Sequence, residues 1–143
     1  MARRRAQRRS LEAAVGVATS IYSAVPVLRV ANVARSAAWY AAVLGFTGDS
    51  VGPPADPVFA ILHREDVELM LQKVRPGIAA PRGAASLEGG WDLYLRIDDA
   101  EAFRRRVQAL VPDVGAIEDR EYGCRELALL DPDGHVVVLG ECG

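Results

Sequence analysis

Aromatic and acidic side chains are the residues of this sequence whose types and spacing could bind a ligand. Glu68 and Met70 alternate along one predicted strand, and Asp92 and Tyr94 alternate along another, so each pair shares one face of a sheet. The other aromatic side chains that could wall the same cleft are Phe59 and Trp91. Rings supply dispersion and cation–π attraction, and carboxylates add Coulomb attraction, so this set suits a flat, cationic ligand.

A purely structural role is the alternative for each of these residues. Phe59, Met70 and Tyr94 could belong to the core, and Glu68 and Asp92 could be solvated or paired with arginines. The arginines that could pair with them are Arg29, Arg96 and Arg125. The residue types alone leave both interpretations open.

The sequence lacks the residue patterns of a histidine metal site, a nucleophile with its base, and a phosphate-binding loop. His63 precedes a predicted turn and His135 follows one. Both are expected to lie at strand ends and face solvent, which makes either a poor metal ligand. Ser36 lies in a predicted helix and Ser86 in a predicted linker, and neither has a histidine in reach to act as a base. The Gly89-Gly90 pair lacks the helix and lysine of a phosphate-binding loop.

The two cysteines, Cys124 and Cys142, are 18 residues apart, with no C-x-x-C pair and no histidine at ligand spacing. This pattern favours two ordinary, reduced residues in a reducing cytosol. No apolar run approaches the roughly 20 residues that a membrane-spanning helix needs. A cytoplasmic protein without a membrane partner is therefore expected.

Charge is unevenly spread along the chain. Residues 1–23 hold five arginines and one glutamate, a net charge of +4, whereas the whole chain is −2, which leaves −6 for the rest. An acidic domain argues against nucleic acid as a partner and leaves room for a cationic ligand. Residues 1–22 are expected to form a flexible basic tail; a targeting signal is the less favoured alternative, because Glu12 interrupts a weak apolar run.

Turn and cap signals divide the rest of the chain into strands and helices. Asn32 should cap a helix that ends at Gly45, and Asp98 or Asp99 should cap a second helix that ends at Pro112. The predicted strands cover 24–30, 46–51, 58–63, 67–74, 91–97, 115–119 and the arms of a hairpin over 122–141. The hairpin turns at Asp131-Pro132-Asp133-Gly134.

The same order of elements occurs twice. Leu28-Arg29-Val30 matches Leu95-Arg96-Ile97 at an offset of 67 residues, and Asn32 matches Asp99 at the same offset. Such an internal repeat indicates two structural units that need each other to bury their apolar surface. We therefore predict an α+β fold in one domain over 23–143, with two βαβββ modules (23–74 and 91–142), a linker over 75–90, and a curved mixed sheet around a cleft.

This pattern resembles the vicinal oxygen chelate superfamily, which includes glyoxalases, dioxygenases and bleomycin resistance proteins. The stretches that carry the resemblance are 24–28, Trp39-Tyr40, Leu44-Gly45-Phe46, Val67-Glu68-Leu69, Tyr122-Gly123, 125–129 and 131–134. The start at 23–28 and the Tyr122-Gly123-Cys124-Arg125-Glu126 approach to the last turn are most similar to the bleomycin resistance branch.

The resemblance implies a homodimer in which the N-terminal strand is exchanged, with Pro26 at the matching hinge-side position. It also implies ligand clefts at the subunit interface, with Tyr122 where that branch usually carries a tryptophan. The expected ligand-binding residues are therefore Phe59, Glu68, Met70, Trp91, Asp92, Tyr94, Tyr122 and Arg125, with either Trp91 or Asp92 facing the cleft.

Superfamily enzymes bind a metal through inward-facing residues on the first and last strands of each module. By resemblance these positions are Val25, Glu68, Asp92 and Val138. Two carboxylates and two valines do not complete a shell for a transition metal. No metal or other cofactor is therefore expected, and a divalent metal ion is the alternative.

Three functional hypotheses follow from these residues. The favoured one is a non-enzymatic, dimeric protein that binds a cationic or aromatic small molecule and sequesters an antibiotic of the bleomycin type. The alternatives are a metal-dependent glyoxalase-like lyase or dioxygenase with a substituted metal shell, and a binding protein for an unrelated metabolite.

Overall fold

A computed structural model describes residues 2–15, 19–75 and 90–143, so the predicted linker over 75–90 lies outside the described residues except for its two ends. The described helices are α1 (Ala2–Val15), α2 (Val33–Leu44) and α3 (Ala100–Gln108). The described strands are β1 (Val27–Val30), β2 (Thr47–Val51), β3 (Phe59–Arg64), β4 (Val67–Lys73), β5 (Leu93–Ile97), β6 (Glu118–Asp119), β7 (Cys124–Leu130) and β8 (Val136–Cys142). Within these ranges no helix is long and apolar enough to cross a membrane.

The strands form two four-stranded mixed sheets with the same topology. The first has the order β1-β4-β3-β2 and the second the order β5-β8-β7-β6. In each sheet the first and last strands of the module, β1 with β4 and β5 with β8, pair in parallel, and the other neighbours are antiparallel. The predicted α+β fold of two βαβββ modules is confirmed.

Local sequence signals explain where the helices begin and end. The Asn32 side chain accepts a hydrogen bond from the Arg35 amide at 2.9 Å, and Asp99 does the same for Ala102 at 3.0 Å. Gly45 ends α2 with a φ of +73°, a conformation that favours glycine. Pro26 lies just before the edge strand β1, where its missing N–H costs no sheet hydrogen bond.

The turn between β7 and β8 confirms the predicted hairpin. Asp131 Oδ1 accepts hydrogen bonds from the amides of Asp133 and His135, both at 2.9 Å. Gly134 has a φ of +83°, and its amide donates to the Asp131 carbonyl. Local side-chain chemistry therefore sets this turn, and the turn sets the register of the two longest strands of the second module.

One face of each sheet packs on the core, and we refer to the opposite face as the open face. In the second sheet part of the open face is also buried, at Val136 and Val138. The covered faces share one apolar core with α2 and α3, and its strand members are Leu28, Val30, Ala60, Leu62, Leu69, Leu71, Leu93, Leu127, Leu129, Val137 and Leu139. Each such leucine or valine contributes about 1.5–3 kcal/mol when it is fully buried. Since strand side chains alternate, the residues between these core positions lie on the open faces.

A buried polar joint also links the modules. Tyr40 of α2 donates to Asp131 at 2.7 Å, and Ser36 donates to Asp133 at 3.0 Å. His135 Nδ1 lies 2.6 Å from Asp131 Oδ2, and only 3% of His135 is exposed. The prediction that His135 faces solvent is therefore wrong, because the turn carboxylates draw the imidazole into the joint.

Residues 2–15, expected to belong to a flexible tail, form the helix α1. Arg4 Nη2 donates to the Asp66 carbonyl at 3.1 Å, and Arg8 Nε donates to Ser20 Oγ at 3.1 Å. The Arg8 guanidinium also lies over the Tyr22 ring, 4.9 Å from its centroid. These contacts place part of the basic segment against the first module.

Cys124 and Cys142 form a disulfide. They lie directly opposite each other on β7 and β8. The prediction of two reduced cysteines is wrong, because the hairpin register brings together two residues that are 18 apart in the sequence.

Candidate ligand-binding site

The open face of the first module brings together three of the predicted site residues. His63 pairs with Glu68, Ile61 with Met70, and Phe59 with Gln72, and such cross-strand partners share a face. The side chains of Phe59, Glu68 and Met70 are partly exposed there. A cavity of about 430 Å³ lies at the Glu68 end of this face, where Arg4, Arg8 and Tyr22 also contribute to its lining.

The open face of the second module has a buried carboxylate, that of Glu126, at its centre. Its neighbours on this face follow from the register, in which Glu126 is opposite Gly140 and Tyr94 is beside Val138. Only 2% of Glu126 is exposed. A buried carboxylate is stable only when its oxygen atoms are paired, so the groups around it matter.

Three side chains donate hydrogen bonds to Glu126. The phenols of Tyr122 and Tyr94 donate to Oε2 at 2.6 and 2.8 Å, and Arg120 Nε donates to Oε1 at 2.8 Å. Arg120 Nη2 also forms an ion pair with Glu118 at 2.9 Å. We refer to Tyr94, Arg120, Tyr122 and Glu126 as the Glu126 cluster.

These bonds shift the pKa values of the cluster. Burial disfavours the charged form of Glu126, but the hydrogen bonds from Tyr122, Tyr94 and Arg120 outweigh it and lower the pKa from 4.5. Burial and the bond to Glu126 raise the pKa of Tyr94 to about 12, and the same two causes raise the pKa of Tyr122. At neutral pH the cluster therefore holds one carboxylate, one guanidinium and two neutral phenols.

The Tyr94 side chain passes closely over Gly140, which lies two residues beyond its register partner Val138. The Tyr94 side chain extends along the sheet over Gly140, and a Cβ atom built on Gly140 would overlap the phenol oxygen. The absence of a side chain at Gly140 thus leaves the space through which Tyr94 reaches Glu126. This close approach explains a glycine in the middle of a buried strand.

A cavity of about 510 Å³ lies on the same face, and Glu126, Arg120, Glu118 and Trp91 contribute to its lining. Half of Trp91 is exposed, and its ring lies 5.5 Å from the Tyr94 ring at a tilt of 39°. Of the two candidates, Trp91 and Asp92, the tryptophan therefore contributes to the cavity. The cavity combines an accessible aromatic face with a fixed carboxylate.

Two predicted site residues are placed elsewhere. Asp92 Oδ2 accepts a hydrogen bond from the Val136 amide at 2.8 Å, so this carboxylate supports the start of β8. Arg125 lies on the covered side of its sheet, where it bonds Glu101 at 3.1 Å and Asp119 at 3.3 Å. Alternation explains the second case, since Arg125 and Glu126 must point to opposite faces.

The residues at the superfamily's metal positions do not fit a metal. Val25 and Val138 offer no donor atom, Val138 is buried, and Asp92 is engaged with the backbone. Among the described residues, the one group with metal-like spacing is Asp131, Asp133 and His135. Its carboxylates and imidazole Nδ1 already bond groups of the two modules, as in a structural joint.

The sequence matches the family model of the glyoxalase/bleomycin resistance protein/dioxygenase superfamily over residues 22–139. The chain belongs to this superfamily. A comparison with curated protein sequences found no match. Because the family model spans both modules, the superfamily explains the repeated topology as well as the individual motifs.

Solved structures of the superfamily share this fold. A glyoxalase-related enzyme from Clostridium phytofermentans is 16% identical with a TM-score of 0.71, covering 89% of this chain and 99% of that one. The bleomycin-binding protein of Streptomyces verticillus, complexed with copper(II)-bleomycin, is 23% identical with a TM-score of 0.65 (87% and 98% covered). A bleomycin resistance determinant encoded on the transposon Tn5 is 28% identical with a TM-score of 0.61 (84% and 97% covered).

Sequence reasoning missed the residue at the centre of the site. Glu126 belongs to the motif that carries the superfamily resemblance, but its burial and its partners were not predicted. A usable signal exists, since Leu127 and Leu129 are core residues and alternation then puts Glu126 on the open face. Arg120, in the turn before β7, carries no comparable signal.

Proposed function

We propose that this protein binds a flat, cationic small molecule of the bleomycin type without transforming it. The observation that carries the proposal is the Glu126 cluster in a cavity that Trp91 helps to line. The 28% identity to a bleomycin resistance determinant supports an antibiotic as the ligand class.

Electrostatics favours a cation in this cavity. Glu118 and Glu126 together carry two negative charges, and Arg120 supplies one positive charge between them. The lowered pKa of Glu126 keeps its carboxylate charged at neutral pH. A cation on the Trp91 face would gain cation–π attraction in addition to the net negative charge of the cavity.

Stacking would supply much of the remaining affinity. Trp91 and Tyr122 are 50% and 60% exposed, large areas for aromatic residues beside a cavity. Covering such rings with a planar group removes apolar area from water and allows offset stacking. Since the Tyr122 phenol is fixed by Glu126, little side-chain freedom remains to be lost on binding.

A homodimer with an exchanged N-terminal strand would complete the site. Among the described strands, β1 pairs with β4 alone and β5 with β8 alone, so both are edges. Val27 on β1 is 48% exposed, as suits a strand with a further partner. A second copy would place the Phe59, Glu68 and Met70 face opposite the Glu126 cluster of the first.

We propose that the protein has no nucleic-acid partner, and we keep the cytoplasm as its proposed location although disulfides are rare there. Residues 24–143 have a net charge of −6, which would repel nucleic acid. In that compartment the disulfide would meet a pool of reducing thiols.

The test is a titration with copper-free and copper-loaded bleomycin, followed by tryptophan fluorescence. The Trp39→Phe variant leaves Trp91 as the reporting tryptophan, and Trp91→Phe is the matched control, because Trp39 packs on the core rather than beside the cavity. We expect saturable quenching in Trp39→Phe and a much smaller signal in Trp91→Phe. Sedimentation of the same samples measures the oligomeric state.

Elemental analysis of the purified protein separates the competing functions. A stoichiometric divalent metal with no response to bleomycin would contradict the proposal and favour the metal-dependent enzyme. No metal and no response would instead favour a binding protein for an unrelated metabolite. A monomer that binds bleomycin would refute only the dimeric site.

A further inference from the structure

The disulfide lies on the same face of the second module as the Glu126 cluster. Cys124 pairs with Cys142, and Glu126 pairs with Gly140, two positions further along the same antiparallel ladder. Residues two apart on a strand share a face, so the Cys124 and Glu126 side chains point to the same side. The disulfide is therefore next to the candidate site and not on the covered side of the sheet.

Two contacts connect the disulfide to the cluster. The Tyr94 phenol that donates to Glu126 also lies 3.5 Å from Cys142 Sγ. The Arg120 amide donates to the Cys124 carbonyl at 2.8 Å, and the Gly123 amide donates to the Arg120 carbonyl at 3.0 Å. The disulfide thus anchors the turn that carries Arg120 and Tyr122, as well as contacting Tyr94 directly.

The two sulfur-bearing residues differ in their access to solvent. Cys142 is exposed, in the last residue of β8, whereas only 8% of Cys124 is exposed. A thiol in solution can therefore reach Cys142 more readily than Cys124. Exchange between a thiolate and a disulfide depends on such access to one of the sulfur atoms.

We propose that Cys124–Cys142 is a thiol–disulfide exchange site for a small dithiol, and that its opening loosens the Glu126 cluster and weakens ligand binding. The effect on a ligand rests on the proposed function, whereas the exchange and the loosening of the cluster do not. If the protein is cytoplasmic, as proposed above, a redox-sensing role is the usual one for a disulfide, but the exchange itself does not depend on that location.

The exchange balances in two steps. A thiolate of the dithiol attacks Cys142 Sγ, the S–S bond breaks, and Cys124 Sγ leaves with the electron pair and takes a proton from water. The second thiolate of the dithiol then attacks the mixed disulfide, closes the reagent into a cyclic disulfide and releases Cys142 as a thiolate. The protein gains two electrons, and the dithiol is oxidised by two.

Opening the bond removes the covalent tie at the end of the β7–β8 ladder. Cys142 is the last residue of β8, and the Gly143 amide, which donates to the Gly123 carbonyl at 3.3 Å, is the next link between the strands. Strand ends that lack a covalent tie fray most easily. Fraying here would release the turn at 120–123 and the contact of Tyr94 with Cys142.

The test uses the Trp39→Phe variant, in which Trp91, 5.5 Å from the Tyr94 ring, reports on the cluster. Folded protein is treated with dithiothreitol, alkylated and weighed by mass spectrometry, while the Trp91 emission is followed. We expect two alkylated thiols per chain, a shift of the Trp91 emission, and recovery of the original emission on reoxidation. The Cys124→Ser/Cys142→Ser double variant should show the shifted emission from the start and no response to dithiothreitol.

A bleomycin titration of both forms completes the test, and we expect at least tenfold weaker binding by reduced protein. Absence of alkylation in folded protein, when unfolded protein yields two thiols, would overturn the proposal. Alkylation without a change in emission, or equal bleomycin affinity of the two forms, would overturn the coupling to the site. If the emission responds but neither form binds bleomycin, the exchange site stands and the proposed ligand is wrong.

Discussion

Tyr40, on the helix of the first module, donates a 2.7 Å hydrogen bond to Asp131, in the last turn of the second. The phenol is fully buried, and the carboxylate also accepts from two backbone amides. The same aspartate thus shapes a hairpin turn and fastens one module to the other. Loss of a hydrogen bond to Asp131 should therefore lower the free energy of unfolding of the whole domain.

Tyr40→Phe should destabilise the protein by about 1.5–3 kcal/mol, because it removes a buried hydrogen bond to a charged group. Urea unfolding followed by circular dichroism measures the effect. Tyr22→Phe is the matched control, since Tyr22 is 57% exposed, and it should change stability by less than about 0.5 kcal/mol. Equal effects of the two variants would contradict a structural role for the Tyr40–Asp131 bond.

The Asp131–His135 pair should make stability depend on pH in both directions. Burial disfavours both charged forms, but their mutual hydrogen bond and attraction outweigh it, so the pKa of Asp131 lies below 3.8 and that of His135 above 6.5. The aspartate contribution is present above pH 3.8 and is lost as the pH falls through the lowered pKa. The histidine contribution is complete below pH 6.5 and is lost as the pH rises through the raised pKa.

We therefore expect a lower free energy of unfolding at pH 8.5 than at pH 5.5. His135→Gln should remove most of this alkaline decline, because an amide does not titrate. His63→Gln is the matched control, since His63 is exposed, and it should keep the wild-type pH profile. Denaturant titrations at a series of pH values provide the measurement, and an unchanged profile in His135→Gln would refute the assignment.

Glu126→Gln should weaken the binding of a cationic ligand by tenfold or more, which corresponds to about 1.4 kcal/mol. The substitution keeps an oxygen acceptor for the phenols but removes the charge and leaves Arg120 without its buried partner. The control is Glu121→Gln, an exposed residue of the adjacent turn. Calorimetric titration of both variants compares the affinities, and equal affinities would mean that the Glu126 charge does not act on the ligand.

Reduction of the disulfide should lower the free energy of unfolding by about 3 kcal/mol. The bond closes a loop between residues 18 apart, and closing a loop of about 15 residues is expected to contribute about that much. Urea titrations with and without a reductant measure the difference, and the Cys124→Ser/Cys142→Ser variant should give the same midpoint in both. A reductant effect that persists in the double variant would have to come from somewhere other than this bond.

Sequence patterns predicted the architecture because the relevant signals are local. Asn32, Gly45 and Asp99 fix the ends of helices by bonds within a few residues, and Asp131 shapes its turn in the same way. The repeated order of elements then implied the second module from the first. Because so many local interactions agree, tertiary contacts do not alter the order of the secondary-structure elements.

The disulfide could have been predicted from the sequence through the register of the hairpin. The hairpin turn places Leu130 opposite Val136, and six more residues outward along each strand lead to Cys124 and Cys142. Register was therefore the missing step, not residue spacing. The burial of His135 is different, because it depends on docking against α2, and a turn sequence alone says nothing about its partner.

The sequence predicted which types of residue form the candidate site better than it predicted where each of them lies. Trp91, Tyr94 and Tyr122 do meet on one face, but Arg125 faces Glu101 of α3 and Asp92 serves the backbone. The Phe59, Glu68 and Met70 set lies on a separate module. Which open faces come together is a property of assembly that strand alternation cannot supply.

The close approach of Tyr94 to Gly140 predicts that substitutions at these two positions depend on each other. A lineage with a side chain at position 140 would need residue 94 to be smaller or to rotate away, because the added Cβ atom would overlap the Tyr94 phenol. Such a lineage would also have lost one of the hydrogen bonds to Glu126. Homologues with tyrosine at 94 and glycine at 140 should therefore keep the hydrogen bond to residue 126, and homologues with a larger residue at 140 should lack it.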